Sequence, residues 1–353
     1  MIRLSNVIEA FEPQLVAQYG SRLLPGHRQA LCAMRRCRGA DSPAMRVACP
    51  ACRATMLLPH ACGHRSCPHC QHHQCQCWLA RQHQKLLPVE YFMITFTLPA
   101  QMRSLAWSHQ RVVYDLLFQL GWETLAGFGL RDKALKGRLG ATAVLHTHTR
   151  KLDYHPHIHW IVPAGALDAK HRLWRRKGGK YLFRQNSLAR VFRAKWLQAL
   201  KDNGLTVEAR LPERWVVNCK HVGRGDKAIT YLGKYLYRGV LSENNIVSMR
   251  NGKVTFRYTD NQGASKTRTL PGADFLWLLL QHVLPKGFRR SRDYGFLHGN
   301  SKKLIRLLQL VLHVTPPIIE QAQRACITCP HCGAPMVIVA TRIMPRHGAV
   351  ASP

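Results

Sequence analysis

The chain has 353 residues, 46% of them hydrophobic, which is enough for at least one full core and two or three domains. Lys and Arg number 52 against 18 Asp and Glu, and this charge of +34 runs along the whole length without forming a tail. A globular polycation of this kind points to nucleic acid well ahead of a membrane or a ribosome. No run approaches the length of a membrane span, and residues 1–6 lack the apolar stretch of a signal peptide. The expected place is therefore cytoplasmic and nucleoid-associated in a bacterial cell, with no membrane partner and no small-molecule substrate.

In a reducing cytosol, paired cysteines hold metal more often than they form disulfides. Nine of the 13 cysteines fall between residues 32 and 77. Cys49-Pro-Ala-Cys52 and Cys67-Pro-His-Cys70 are two knuckles separated by 14 residues, a spacing that presents four thiolates to one tetrahedral Zn2+ ion. Cys37 and Cys62, with His27, His60, His64, His69, His72 and His73 nearby, can complete a second ion; Cys32, Cys75 and Cys77 flank them. Protein ligands fill every position, so this zinc is expected to be structural, in a DNA-docking domain over residues 1–88.

Pro88 breaks the chain, and residues 91–99 then read as a buried strand. Residues 100–128 carry helical periodicity. Strands follow at 141–149 and 154–163, joined by so short a connection that they must form an antiparallel hairpin. A helix over 186–203, a strand over 214–219, a helix over 226–238 and a strand over 254–258 complete a region spanning 89–300. Such a succession with an antiparallel hairpin is α+β.

Within the second strand of that hairpin the chain reads His155-Pro-His-Ile-His159. Strand side chains alternate faces, so His157 and His159 point the same way and form a natural pair of ligands for a divalent metal. His155 shares their face. His146 and His148 lie on the preceding strand, and pairing brings one of them alongside.

Further on, Tyr231-Leu-Gly-Lys-Tyr235 stacks two phenols on one helix face. A phenol with a pKa of about 10 needs a metal or cations nearby to act as a nucleophile. Lys234, Arg224, Lys227 and Arg238 supply positive charge around that helix. Each histidine or tyrosine alone would be ordinary packing. Together, in so basic a chain, they point to cutting a nucleic-acid strand with tyrosine as nucleophile while a metal polarises the phosphate.

Helices are expected over 273–284 and 302–313, with Arg289, Arg290 and Arg292 between them as DNA-contacting surface. Residues 301–353 form a C-terminal segment carrying a further knuckle, Cys326-Ile-Thr-Cys329-Pro-His-Cys332, for which His331 and His347 are candidate fourth ligands. The residues from Thr341 onward are expected to lack fixed structure.

In order and spacing these strings resemble the rolling-circle transposases of the insertion-sequence ninety-one type. That group belongs to the HUH endonucleases, named for histidine-hydrophobic-histidine. The similarity runs from the Cys37…Cys49-x-x-Cys52…Cys62…Cys67-Pro-x-Cys70 head through residues 87–99, 145–148, 155–159, 231–235 and 254–258 to 282–288 and 294–297. The resemblance implies an RRM-like antiparallel sheet with flanking helices. It also implies His157 and His159 as the metal pair, His146 as third ligand, Tyr231 and Tyr235 as nucleophiles, and Mg2+ or Mn2+ as the catalytic ion. His148 falls where an aromatic residue is expected and is set aside. Ser66 stands where the family's head usually has His, and His64 is the nearest substitute.

The implied function is a DNA transposase that nicks and rejoins single-stranded element ends and target through a covalent 5′-phosphotyrosine. The rivals are a plasmid replication initiator or relaxase of the same chemistry, and a non-catalytic zinc-dependent nucleic-acid-binding protein.

Overall fold

The computed structural model describes residues 2–39, 42–237, 239–260, 262–315 and 326–344. Chain order begins with helices α1 (Leu4–Tyr19) and α2 (Pro25–Arg36), hairpin β1 (Ala44–Ala48) and β2 (Thr55–Pro59), and helix α3 (His72–His83). Strand β3 (Tyr91–Thr97) leads to α4 (Arg103–Ser108) and α5 (Gln110–Arg131), then to strands β4 (Gly140–His148) and β5 (Tyr154–Pro163). A small ribbon of β6 (Gly165–Asp168) and β7 (Leu173–Arg176) precedes α6 (Gln185–Asp202), β8 (Val217–His221) and α7 (Asp226–Tyr237). The meander β9 (Ile246–Arg250), β10 (Lys253–Thr259) and β11 (Ser265–Pro271) follows, then α8 (Gly272–Leu280), β12 (Ser291–Gly295) and α9 (Lys302–Val311). The described chain closes with β13 (Ile327–Thr328) and β14 (Pro335–Ile343).

Two compact units arise from this order, and neither is continuous. One collects residues 1–74, 237–283 and 322–353; the other collects 75–236 and 284–321. Linear boundaries at 88 and 300 do not capture this, because β14 pairs with β1 while α9 belongs with the second unit. The first unit holds a four-stranded sheet in the order β13-β14-β1-β2, the three-stranded meander, and α1 packed on α8.

The second unit carries a five-stranded sheet in the order β12-β4-β5-β3-β8, antiparallel at every pair, which makes the unit α+β as expected. Its sequence pattern explains its two faces. Tyr154, Ile158 and Trp160 of β5 join Ala141, Ala143 and Leu145 of β4 and Phe92, Ile94 and Phe96 of β3 in one core with α5 and α6. Helix α5 comes close because Gly121 has no side chain: a Cβ there would lie 2.8 Å from the Trp160 ring. The alternate residues, His155, His157 and His159 on β5 and His146 on β4, face the other way.

Several elements differ from expectation. The helix over 100–128 breaks at His109 (φ −124°, ψ 44°) into α4 and α5. The strand placed at 214–219 runs from Val217 to His221, since it extends only as far as it pairs with β3. Thr341 is no boundary of order, because β14 continues to Ile343 along β1. Helix α8 stops at Leu280, and α9 at Val311.

Gly295 ends β12 with φ +59°, and a Cβ there would meet the Leu139 carbonyl oxygen at 1.8 Å. Gly295→Ala is therefore expected to destabilise the second unit by about 1–3 kcal/mol or more, read as a lower urea midpoint. An unchanged midpoint would mean that β12 leaves the sheet by a different path.

Candidate functional site

The site is built on the face of the five-stranded sheet opposite its core. His146 pairs directly with His157, and Val144 with His159, so register alone brings three imidazoles together. Their ligand nitrogens all lie within 4.8 Å of one another. A bulge between residues 146 and 148 takes His148 out of that set, and it pairs with Tyr154 instead. His155 turns toward Arg103, whose guanidinium is 3.2 Å from its Nδ1.

Hydrogen bonds choose the ring nitrogens. His157 Nδ1 lies 2.7 Å from the His155 carbonyl oxygen. A carbonyl can only accept, so Nδ1 carries the proton and Nε2 is left bare. Thr95 Oγ1, directly across from His159 on β3, is 2.8 Å from His159 Nδ1 and can accept its N–H, the tautomer that leaves Nε2 bare for a metal. His146 is 1% exposed, and its buried Nε2 has no hydrogen-bond partner among the described residues.

An orphaned buried nitrogen is costly unless something occupies it, and His157 and His159 beside it would complete a set of three nitrogens able to hold a metal ion. Burial lowers the pKa of His157 to about 4 and, with the charge of His157, that of His159 to about 3; His146 is pushed well below its usual value, chiefly by burial. All three are thus neutral at physiological pH, the form that binds metal.

Helix α7 supplies the phenols. Gly233 lies between them, and a Cβ there would meet Leu79 at 2.7 Å, so the glycine lets α7 approach α3 closely. The Tyr235 ring stacks on His146 (3.3 Å between centroids, 5° between planes) and on His148 (4.7 Å, 16°), and its hydroxyl donates to the His148 carbonyl at 3.3 Å. Arg290 sits 5.2 Å over the same ring. Tyr231 lies 6.3 Å from Tyr235 and 6.4 Å from His146 between ring centroids, and is 50% exposed. Burial raises both phenol pKa values; Arg290 opposes this at Tyr235, and Arg150 opposes it at Tyr231.

Of the expected cations, Lys234 and Arg224 are exposed on and just before α7, and Arg238 lies outside the described residues. Two contributors carried no sequence signal for this role. Thr95 is an ordinary strand threonine, and Arg290 read only as surface charge.

The cysteines group differently from their order in the chain. Cys37, Cys62, Cys67 and Cys70 form one cluster, with Sγ atoms 3.4 Å apart for Cys37–Cys70 and 3.6 Å for Cys62–Cys70 and Cys37–Cys67. Four thiols at that spacing suit a tetrahedral, thiophilic Zn2+. His64 is not needed: its Nδ1 accepts the Ser66 amide proton at 3.2 Å. Cys49 and Cys52 do not join this cluster, contrary to the two-knuckle expectation. Their sulfurs lie with those of Cys329 and Cys332, which removes the need for His331 as a ligand; His347 lies outside the described residues. Cys75 donates to the Gly233 carbonyl.

Comparison with known proteins agrees with these two parts. A family model described as "Transposase zinc-binding domain" matches residues 7–98, and one described as "Putative transposase" matches residues 140–304. The chain is 32% identical over 349 residues to "Putative transposase y4qJ" of Sinorhizobium fredii, covering 91% of this chain and 87% of that one. It is 28% identical over 273 residues to "Transposase for insertion sequence element IS801" of Pseudomonas savastanoi pv. phaseolicola, covering 70% of this chain and 63% of that one. No solved structure matches.

Thr95→Val removes the acceptor behind His159 while keeping its shape. It should weaken Mn2+ binding by about 10–100-fold in a calorimetric titration without shifting the folding midpoint. Unaltered affinity would show that the Thr95 contact does not orient His159 for metal binding.

Proposed function

The chain belongs to the transposases of the insertion-sequence ninety-one type, and on that premise we propose that it nicks and rejoins single-stranded DNA at element ends through a covalent 5′-phosphotyrosine. The observation that carries this reading is the placement of both phenols of α7 beside a triad of neutral imidazoles with an orphaned Nε2 at its centre, Tyr235 stacked on His146 and the Tyr231 ring 6.4 Å from it. His146, His157 and His159 would hold the divalent ion, which would supply Lewis-acid polarisation of the scissile phosphate. Three imidazole nitrogens suit Mn2+ better than Mg2+, which prefers oxygen ligands.

Tyr231 is the half-exposed phenol and the one that an incoming strand reaches first. Its oxygen bonds to phosphorus as the bond from phosphorus to the 3′-oxygen breaks. The phenol's proton passes to solvent, and the departing oxygen takes one up as a free 3′-hydroxyl. Arg150 favours the phenolate against the opposing effect of burial.

Tyr235 is held between two imidazoles and must swing away from His146 to receive a second strand. Because the phosphotyrosine keeps the energy of the broken phosphodiester, rejoining requires no ATP. Lys234 and Arg224 contact the DNA backbone, and the zinc-binding domain docks the element end. No helix among the described residues is long and apolar enough to cross a membrane. A cytoplasmic, nucleoid-associated site of action follows from the proposed DNA chemistry.

The double variant Y231F/Y235F should lose covalent adducts with single-stranded DNA by on the order of 10³-fold or more while retaining binding. Y231F alone should reduce first-strand adduct more than Y235F, and H157A/H159A should abolish metal-dependent nicking. Adducts persisting on the double variant, seen as a DNA-retarded protein band after denaturation, would overturn the chemistry. Binding without any nicking by the unmodified chain would favour the non-catalytic rival.

A further inference from the structure

The knuckle Cys49-Pro-Ala-Cys52-Arg-Ala54 has a counterpart near the other end of the chain, Cys329-Pro-His-Cys332-Gly-Ala334. The two fold alike. Cys49 directly follows β1 and Cys329 directly follows β13, and each knuckle turns the chain into the second strand of a hairpin. In the first, the Cys49 amide donates to the Ala54 carbonyl at 2.8 Å and the Arg53 amide to the Cys49 carbonyl at 2.9 Å. In the second, the Cys329 amide donates to the Ala334 carbonyl and the Gly333 amide to the Cys329 carbonyl, both at 2.9 Å. The residue after the second cysteine is left-handed in both, Arg53 at φ +61° and Gly333 at φ +74°.

The two turns face each other. Cys49 and Cys332 sulfurs are 3.5 Å apart, and Cys52 and Cys329 sulfurs are 3.6 Å apart. A disulfide would hold its sulfurs at about 2.05 Å, so these are not bonded pairs. Zinc–sulfur bonds of about 2.3 Å in a tetrahedron set sulfur–sulfur edges of roughly 3.8 Å, close to what is found. Strand β14 pairs along β1, and Val47, Cys49, Cys329 and Met336 form a small core of their own.

We propose that Cys49, Cys52, Cys329 and Cys332 bind a second zinc ion, and that this ion clasps the C-terminal hairpin onto the N-terminal zinc-binding domain. The matched family stretches end at residues 98 and 304, so neither includes the second half of this ligand set. Without residues 326–344 the domain retains a half-site of two thiols and a sheet lacking β13 and β14.

The test measures zinc per chain by elemental analysis in full-length protein and in three variants: C49S/C52S, C329S/C332S and the quadruple combination. Each should lose the same single equivalent, because all three empty one site. A quadruple variant that loses two equivalents, or a C329S/C332S variant that loses none, would overturn the shared site.

Should the variants fail to fold, alkylation of the unmodified chain with N-ethylmaleimide followed by mass spectrometry answers the same question. The four thiols should resist the reagent together and become reactive together on chelation, while exposed Cys326 reacts throughout. Reaction at Cys329 and Cys332 with Cys49 and Cys52 still protected, or a disulfide among them, would sink the proposal.

Discussion

The candidate site depends on the pleat of a single strand. Along β5 the chain alternates apolar and imidazole side chains, so the residues that anchor the strand to the core also fix where the histidines point. Tyr154, Ile158 and Trp160 are buried beneath, among aromatic residues of α5 and α6. Shifting β5 by one residue against β4 would bury three imidazoles in that core and expose Trp160. Register is therefore enforced by burial of about 1.5–3 kcal/mol per large apolar side chain. The site inherits that rigidity, and the contacts of His157 with the His155 carbonyl and of His159 with Thr95 add to it.

The electrostatics of the site fit a chain so positively charged. Acidic ligands near Arg103, Arg150 and Arg290 would form ion pairs with them, whereas neutral imidazoles do not. Burial keeps the three rings uncharged, so a cation can enter a region where protonated histidines would repel it. The same burial keeps Tyr235 protonated, and its ring covers His146 with no charge at the contact. The two phenols thus occupy different states, one open to solvent and one packed against the triad.

The sequence was most legible where the signal was local. The bounds of β5 could be read directly, because a period of two between a turn and Pro163 admits one reading, and α7 was equally plain from its paired tyrosines. Parity could not choose between His146 and His148, since both point the same way on a regular strand. The bulge between them decides, and no residue there announces it. Thr95 was invisible because its role comes from sitting opposite His159 across a strand pair. The cysteines misled for the opposite reason. Proximity in the chain suggested that neighbouring knuckles share an ion, but Cys49 and Cys52 meet a partner 277 positions or more away. Strand β14 was missed as well, because its pairing partner lies at the far end of the sequence.

That pairing has a consequence for biosynthesis. The sheet order β13-β14-β1-β2 puts β14 at the centre of the first unit's four-stranded sheet, while β1 leaves the ribosome nearly 300 residues earlier. At bacterial elongation rates β1 waits about 15–60 s for its neighbour, with Val47 lacking its final cover. The second unit, encoded between them, is fully synthesised during that interval. The four-stranded sheet that β1 starts is thus completed only after the second unit has been made.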